Sequence, residues 1–404
     1  MLRILISILL LSACVTQSDA SVFLDRLLAS KAIDRDKSAI LVTDLATGET
    51  LDALNTGVSL IPASIMKTAT IAALLPQTGC DYRYLTRVYA DGPVRDGEID
   101  GNLLIVGSGD PSLNAGCDPP GPDFIAEITD ALNERGIQHI KGRIVVDSSI
   151  FTSPATPPSW VAADTRQKYG TGCHGFNFRH NASGSSSVAD PSSLFSKALA
   201  ARLKTSGIEI EDRDCRRTPH PLLLVDHKSA AIDEIMRSCM MRSDNLFAEA
   251  LLRTLPVVRG REGDTDLASR MAADYWKKLG LNLDGVRIVD GSGLSRENRV
   301  TARFLGDIMS RMAVDPDYAS FLPLAGQEGT LKNFLKDTDL DSYIALKTGS
   351  MNGIQCYAGY KLDDDYVPTH SIVVILNALP KGRAAARSAL ETYFLGLFSS
   401  QEPQ

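Results

Sequence analysis

Ile61-Pro62-Ala63-Ser64-Ile65-Met66-Lys67-Thr68-Ala69-Thr70 places a lysine where a helix heads into the protein core. The apolar runs Val58 to Ile61 and Ile71 to Leu75 flank it, and a serine precedes it by three residues. A buried ammonium is costly unless it has partners or a task. Pro62 fixes the entering backbone, so the helix should begin near Ser64 and continue to Leu75. Residues three apart on a helix share a face, which lets Ser64 and Lys67 meet. At the first turn, Ser64 would place its oxygen where helix N–H groups favour developing negative charge. The lysine can take a proton from it only when neutral, and both burial and a second cation nearby push it that way.

A serine three before a lysine arises by chance about once in a few hundred residues. Two further triplets raise the significance of this one. Ser243-Asp244-Asn245 falls at the junction of two helical segments and offers a hydroxyl that can pass a proton and an amide that can orient a carbonyl. Lys347-Thr348-Gly349 ends a strand-like segment with a cation, a hydroxyl and a glycine that lets a ligand lie close to the backbone. Taken singly, the first triplet is a helix N-cap and the second a solvated strand end. Taken jointly and in this order, they specify a serine nucleophile with lysine partners.

The rest of the chain sets the frame. With 404 residues, 44% hydrophobic and 23% charged, and a net charge of -7, it reads as a soluble globular protein of two or three domains with no nucleic-acid partner. Met1-Leu2-Arg3 followed by the apolar Ile4 to Leu11 reads as a secretory signal over residues 1–20, too short to span a bilayer. Leu11-Ser12-Ala13-Cys14 resembles a lipobox, in which Cys14 becomes the lipidated first residue; a simple cut after Ser18-Asp19-Ala20 is the alternative. Cys80, Cys117, Cys173, Cys215, Cys239 and Cys356 remain, an even set that an oxidising compartment would allow to form three disulfides. Cys239 and Cys356 flank two of the triplets and read equally as small buried hydrophobes. No CxxC or clustered histidine suggests a metal, so neither metal nor cofactor is expected.

Periodicity predicts a helix from Ser21 to about Ala32, a hairpin of Ala39 to Asp44 and Thr50 to Leu54, and short strands at Gly101 to Val106, Gly142 to Asp147 and Ile208 to Ile210. Helices are expected at Phe124 to Glu134, Leu194 to Lys204, Ala230 to Met241, Leu246 to Arg253, Leu267 to Leu279, Ala302 to Met312 and Gly382 to Leu397. Residues 182 to 193 read as a flexible loop, and Tyr343 to Lys347, Gln355 to Leu362 and Thr369 to Leu376 as strands. The order predicts an α+β domain, residues 21–82 and 226–404, whose antiparallel sheet is completed from both chain ends and flanked by helices. Residues 83–225 are then an inserted, smaller β-rich α+β domain.

The ordered triplets are those of class A β-lactamases and penicillin-binding proteins. Further runs narrow the likeness: Gly101-Asn102-Leu103 leading to Gly109-Asp110-Pro111, Val146-Asp147-Ser148-Ser149-Ile150-Phe151, Asp290-Gly291-Ser292-Gly293-Leu294-Ser295 and Leu322-Pro323-Leu324-Ala325-Gly326. On these the chain resembles the D-alanyl-D-alanine carboxypeptidase/endopeptidase family, the class C low-molecular-mass penicillin-binding proteins. The long separation of Ser64 from Ser243 fits an inserted domain better than a compact β-lactamase.

The resemblance implies a penicillin-binding transpeptidase-like domain acting on peptidoglycan stem peptides, with β-lactams as covalent inhibitors. It implies Ser64 as nucleophile, Lys67 as its base, Ser243 as proton relay, Asn245 holding the acyl chain and helping to position Lys67, and Lys347 supplying positive charge to the substrate carboxylate or to the relay. Thr348, Gly349 and Ser350 would bind that carboxylate and the oxyanion, and Arg296 and Asn352 would line a subsite. In relatives the segment matching Phe151 to Trp160 carries an acid that grips a substrate amine; here it holds no carboxylate. A third domain nested in the family's second is expected to be absent, with only residues 182 to 193 in its place. The alternatives are a β-lactamase or esterase on the same fold, for which no deacylating loop glutamate is evident, and a non-catalytic wall-binding lipoprotein.

Overall fold

The computed structural model describes residues 21–116 and 122–399; the expected leader with its lipidation site Cys14, and Cys117, lie outside the described residues. Along the chain come α1 (Val22–Ala29), the hairpin β1 (Ser38–Asp44) and β2 (Thr50–Leu54), and α2 (Met66–Thr78). Next are β3 (Leu85–Asp91), β4 (Asn102–Val106), α3 (Phe124–Glu134), β5 (Ile144–Asp147), α4 (Pro191–Thr205) and β6 (Leu222–Lys228). Helices α5 (Ile232–Arg242), α6 (Asn245–Val257), α7 (Thr265–Lys278) and α8 (Ala302–Met312) follow, and β7 (Ile344–Met351), β8 (Ile354–Leu362), β9 (Pro368–Leu376) and α9 (Gly382–Ser399) complete the order.

The largest sheet runs β7-β8-β9-β1-β2 and is antiparallel throughout. Pairing of β1 with β9, from Ser38↔Leu376 to Asp44↔His370, joins segments from opposite ends of the sequence. Strand alternation splits their apolar side chains between two cores. Ala39, Val373 and Ile375 face a core shared with α2 and α5 to α8, whereas Ile40, Val42, Ile372 and Val374 face α1 and α9. Each such side chain, fully buried, contributes about 1.5–3 kcal/mol. Helix α2 is the central element: every residue from Met66 to Leu75 is buried. A helix buried all round carries no polar face, which is why Lys67 points into protein.

Between α2 and α5 the chain builds two four-stranded sheets, besides the short pair of Ala182–Ser183 with Ser186–Ser187. One runs β6-β3-β4-β5, with β4 and β5 parallel. The other joins Glu209–Ile210, His139–Ile140, Glu98–Ile99 and Val94–Arg95. Their core includes Val88, Leu103, Ile105, Phe124, Ile128, Phe195 and Leu199.

Three expectations need correction. Residues 182 to 193 are not simply a flexible loop: Ala182–Ser183 pairs with Ser186–Ser187, and α4 already starts at Pro191 because Asp190 caps it by accepting the Ser193 N–H at 2.9 Å. The strands β3 and β6 were not foreseen. The disulfides that an even cysteine set would allow are not formed among the described cysteines: Cys80, Cys173, Cys215, Cys239 and Cys356 are free thiols. Cys239 and Cys356 are buried, their Sγ atoms donating to the carbonyls of Asp244 (3.4 Å) and Ile61 (3.7 Å).

Candidate active site

Ser64 lies in a 3-10 turn, Ala63–Ile65, that runs directly into α2. Two glycines make the turn possible. Ala63 has a positive φ of 48°. Gly293, also at positive φ, lies so close to it that an added Cβ would fall 1.8 Å from the Ala63 carbonyl oxygen. A Cβ on Gly349 would sit 2.8 Å from the Pro62 oxygen and 2.9 Å from the Ser64 nitrogen. The place expected to admit a ligand near Gly349 is therefore filled by the main chain of the Ala63–Ile65 turn, and β7 docks on that turn backbone against backbone.

Lys67 is wholly buried. Its Nζ contacts Ser64 Oγ at 3.2 Å, Asn245 Oδ1 at 2.6 Å and the Ser292 carbonyl at 2.8 Å. The Asn245 amide is oriented by its own Nδ2, which donates to the Tyr169 carbonyl at 2.8 Å. A neutral amine has two hydrogens and one lone pair. Two of the three neighbours, Asn245 Oδ1 and the Ser292 carbonyl, are pure acceptors and take the hydrogens, so the lone pair is left for the Ser64 hydroxyl. Burial holds the Lys67 amine below the usual lysine range, against the opposing charges of Cys239, Asp290, Glu249 and Asp244.

The second lysine follows from strand geometry. Lys347, on β7 beside the nucleophile turn, is also buried and donates to Ser243 Oγ at 2.9 Å and to the Thr348 carbonyl at 2.7 Å. Burial, and then the positive charge of Lys67, hold it well below the usual range. Ser243 ends α5 in a left-handed conformation, φ 56°, and Asp244 caps α6 by accepting the Phe247 N–H at 3.1 Å. The sharp turn between the two helices presents the Ser243 hydroxyl to Lys347 and the Asn245 amide to Lys67.

Ser64, Ser243, Asn245, Thr348, Ser350, Arg296 and Asn352 line one cleft of about 430 Å³, with Lys67 and Lys347 behind its wall. Arg296 is exposed and donates to the Asn352 carbonyl at 3.4 Å. Asp164, Tyr169, Leu294, Thr330 and Met351 complete the lining. Sequence reasoning missed Asp164, which accepts the Tyr169 hydroxyl at 2.6 Å and puts a carboxylate in the cleft although Phe151 to Trp160 has none. It also missed Thr330, whose hydroxyl meets that of Thr348 at 2.8 Å, and His180, whose Nε2 lies 2.5 Å from Asp244 Oδ2. Only the Ser292 carbonyl had a local signal, its place in the Asp290 to Ser295 run.

A buried amine one turn from a serine, with a second buried amine on the adjoining strand, is the arrangement that an active-serine hydrolase working through an acyl-enzyme requires. The family model described as D-Ala-D-Ala carboxypeptidase 3 (S13) matches residues 20–183 and 178–389, and the chain belongs to that family. It is 26% identical to a D-alanyl-D-alanine carboxypeptidase of Actinomadura, over 83% of this chain and 77% of that one. It is 30% identical to carboxypeptidase DacB of Mycolicibacterium smegmatis, over 85% and 77%. Its fold is that of penicillin-binding protein 4 from Haemophilus influenzae, TM-score 0.80 at 19% identity, covering 94% of this chain and 99% of that one; that protein has also been solved with a bound β-lactam. Among the described residues no helix is long and apolar enough to cross a membrane.

Proposed function

We propose that this chain is a serine D-alanyl-D-alanine carboxypeptidase or DD-endopeptidase of peptidoglycan, and that the residues lining the cleft carry the reaction. The observation that supports this most directly is the Lys67 amine held between two pure acceptors and the Ser64 hydroxyl. Ser64 Oγ attacks the carbonyl of the penultimate D-alanine while its proton passes to Lys67. The tetrahedral oxyanion lies against the backbone N–H groups of Ser64 and Ser350, donors that can each be worth about 3–4 kcal/mol. Collapse breaks the C–N bond, and the proton reaches the leaving amine through Ser243. Lys347, hydrogen-bonded to Ser243, serves that relay, Thr348 holds the substrate carboxylate, and Asn245 holds the acyl chain. Water then hydrolyses the ester, whereas a β-lactam leaves an ester that persists. Arg296, Asn352 and Asp164 face the part of the stem peptide beyond the scissile bond, with Asp164 suited to a cationic side chain.

Catalysis is assigned to residues 21–82 and 226–404, with 83–225 as the insertion and no third nested domain. Export to the periplasm and lipid anchoring at Cys14 belong to the same proposal, and a mature N-terminus at Ser21 found by mass spectrometry would refute the anchor. Incubation with a fluorescent penicillin should give a covalent band that Ser64→Ala removes. No band from the wild-type protein would indicate a wall-binding protein instead, and a penicilloyl-enzyme lasting milliseconds rather than minutes would indicate a β-lactamase. Digestion of muropeptide monomers and dimers separates the two peptidase activities by product mass.

A further inference from the structure

Asn245, Glu249 and Arg253 follow one another at four-residue spacing on α6, so they form a single stripe down one side of the helix. Asn245 reaches Lys67 directly. Glu249 is fully buried and does not line the cleft. Its Oε1 accepts the Ser292 N–H at 2.9 Å and its Oε2 the Gly291 N–H at 3.3 Å. The carbonyl of that same Ser292 accepts a hydrogen from Lys67. Arg253, one turn further on, is turned to the carbonyls of Cys173 (2.8 Å) and Pro154 (2.8 Å).

We propose that Glu249 is a positioning residue for acylation: it clamps the Gly291–Ser292 main chain so that the Ser292 carbonyl takes one Lys67 hydrogen and the amine lone pair stays on Ser64. This rests on the function proposed above. The same stripe then supplies both acceptors of Lys67, one as a side-chain amide and one through a peptide unit. A carboxyl in that place also adds a charge to the site. Burial, and then the negative charge of Asp290, push Glu249 up to about 7. The ionisable groups facing it are Asp290 on the adjoining turn, Arg253 on its own helix, Lys67 on α2, Cys239 on α5 and Cys173 on the preceding loop. In its ionised form it strengthens the hold of Lys67 on a proton, as the opposing charges around Lys67 require. Near neutral pH its two effects therefore oppose one another: the clamp favours acylation, and the charge raises the pH at which Lys67 becomes free to act.

The test is the rate of acylation by fluorescent penicillin from pH 5 to 10, compared between wild type and Glu249→Gln. The limiting rate should fall about tenfold and the acidic limb should move to lower pH, while the initial non-covalent affinity stays unchanged because residue 249 does not touch the cleft. A displaced limb together with a lowered limiting rate supports the proposal; a displaced limb at the wild-type limiting rate shows charge without a clamp and overturns it. A profile that superimposes on the wild type, whether or not the rate has fallen, overturns it and reduces Glu249 to a structural residue. If Glu249→Gln does not fold, the wild-type protein is titrated by infrared spectroscopy. A buried carboxyl band should then disappear near neutral pH, with a midpoint that moves once Ser64 is acylated; no such band, or a midpoint that stays put, overturns the proposal. Failure of wild-type Ser64 to acylate at all would instead sink the functional proposal, so the two failures are distinct.

Discussion

Lys67 holds a position that burial alone would make costly, and its surroundings explain how it is tolerated. Two neutral oxygens accept its hydrogens, Ser64 lies within reach of its lone pair, and Glu249, Asp290 and Asp244 supply distributed negative charge. Because the folded protein holds this amine below the ordinary lysine range, acylation should rise with pH on a limb below the roughly 10.4 of a free lysine. Fluorescent-penicillin kinetics across pH check this; a limb centred at the free value would contradict it. Lys67→Met removes the proposed proton acceptor and should lower the acylation rate about 10³-fold. In stability the sign is the reverse of a stabilising pair. The unfolded chain binds the Lys67 proton more tightly, so this residue lowers stability increasingly as pH falls below the unfolded value, towards the folded one. Ser64 and Lys67 were legible at this scale because a three-residue spacing on a helix is a local property. The Tyr169 carbonyl was not, since a main-chain acceptor has no residue type to betray it, and the Ser292 carbonyl was signalled only by its place in the Asp290 to Ser295 run.

At the scale of elements, the site depends on β7 approaching the Ala63–Ile65 turn more closely than any side chain would permit. Gly349→Ala would put a Cβ within 3.0 Å of the Pro62 oxygen and of the nitrogens of Ser64 and Ile65. These are backbone atoms at the entry to a wholly buried helix, so β7 has to move instead. Overpacking of this kind costs about 1–3 kcal/mol. A displacement of roughly 1 Å between the strand and the nucleophile should cost about 10²-fold in acylation. Thermal melts and labelling rates measure the two effects, and wild-type labelling would show that the approach has slack. Elements with a clear face were legible: α3 and α8 span the residues that their apolar spacing predicts. The strands β3 and β6 were not, although β3 alternates inward and outward, because each finds its partner far away, as in Leu85↔Lys228. Asp190 with Pro191 is the signal that would have started α4 earlier.

Across the whole molecule, residues from the segment between α2 and α5 complete the catalytic surroundings. Tyr169 fixes the Asn245 amide, Trp160 donates to Asp290 Oδ2 at 2.8 Å, and His180 is paired with Asp244. Burial raises the Asp244 carboxyl, but the hydrogen bond and charge of His180, the Phe247 N–H and the charge of Lys67 together outweigh it and hold the group below its ordinary value. A depressed carboxyl of this kind contributes stability above its unfolded value, and that stability is lost as pH falls through the folded one. His180→Ala takes one hydrogen-bond partner from Asp244 in a mostly buried place, leaving the Phe247 N–H, which should cost about 1–3 kcal/mol. The gap in melting temperature between wild type and variant should narrow from about pH 5 downward. A gap that is constant down to acid unfolding would show that the pair carries no charge coupling.

What the amino-acid order determined by itself was local: the Ser64–Lys67 spacing, the Ser243 to Asn245 junction, the Lys347 to Gly349 strand end, and the faces of the amphipathic helices. Each is set by neighbours within one or two turns, where side-chain chemistry and backbone preference act together. Tertiary structure alone decided which carbonyls hold Lys67, why Gly349 must lack a side chain, that Glu249 backs the Ser292 turn, and that His180 reaches Asp244. These contacts bring together segments far apart in the chain, through main-chain atoms and close backbone approaches that leave no periodic trace in the sequence.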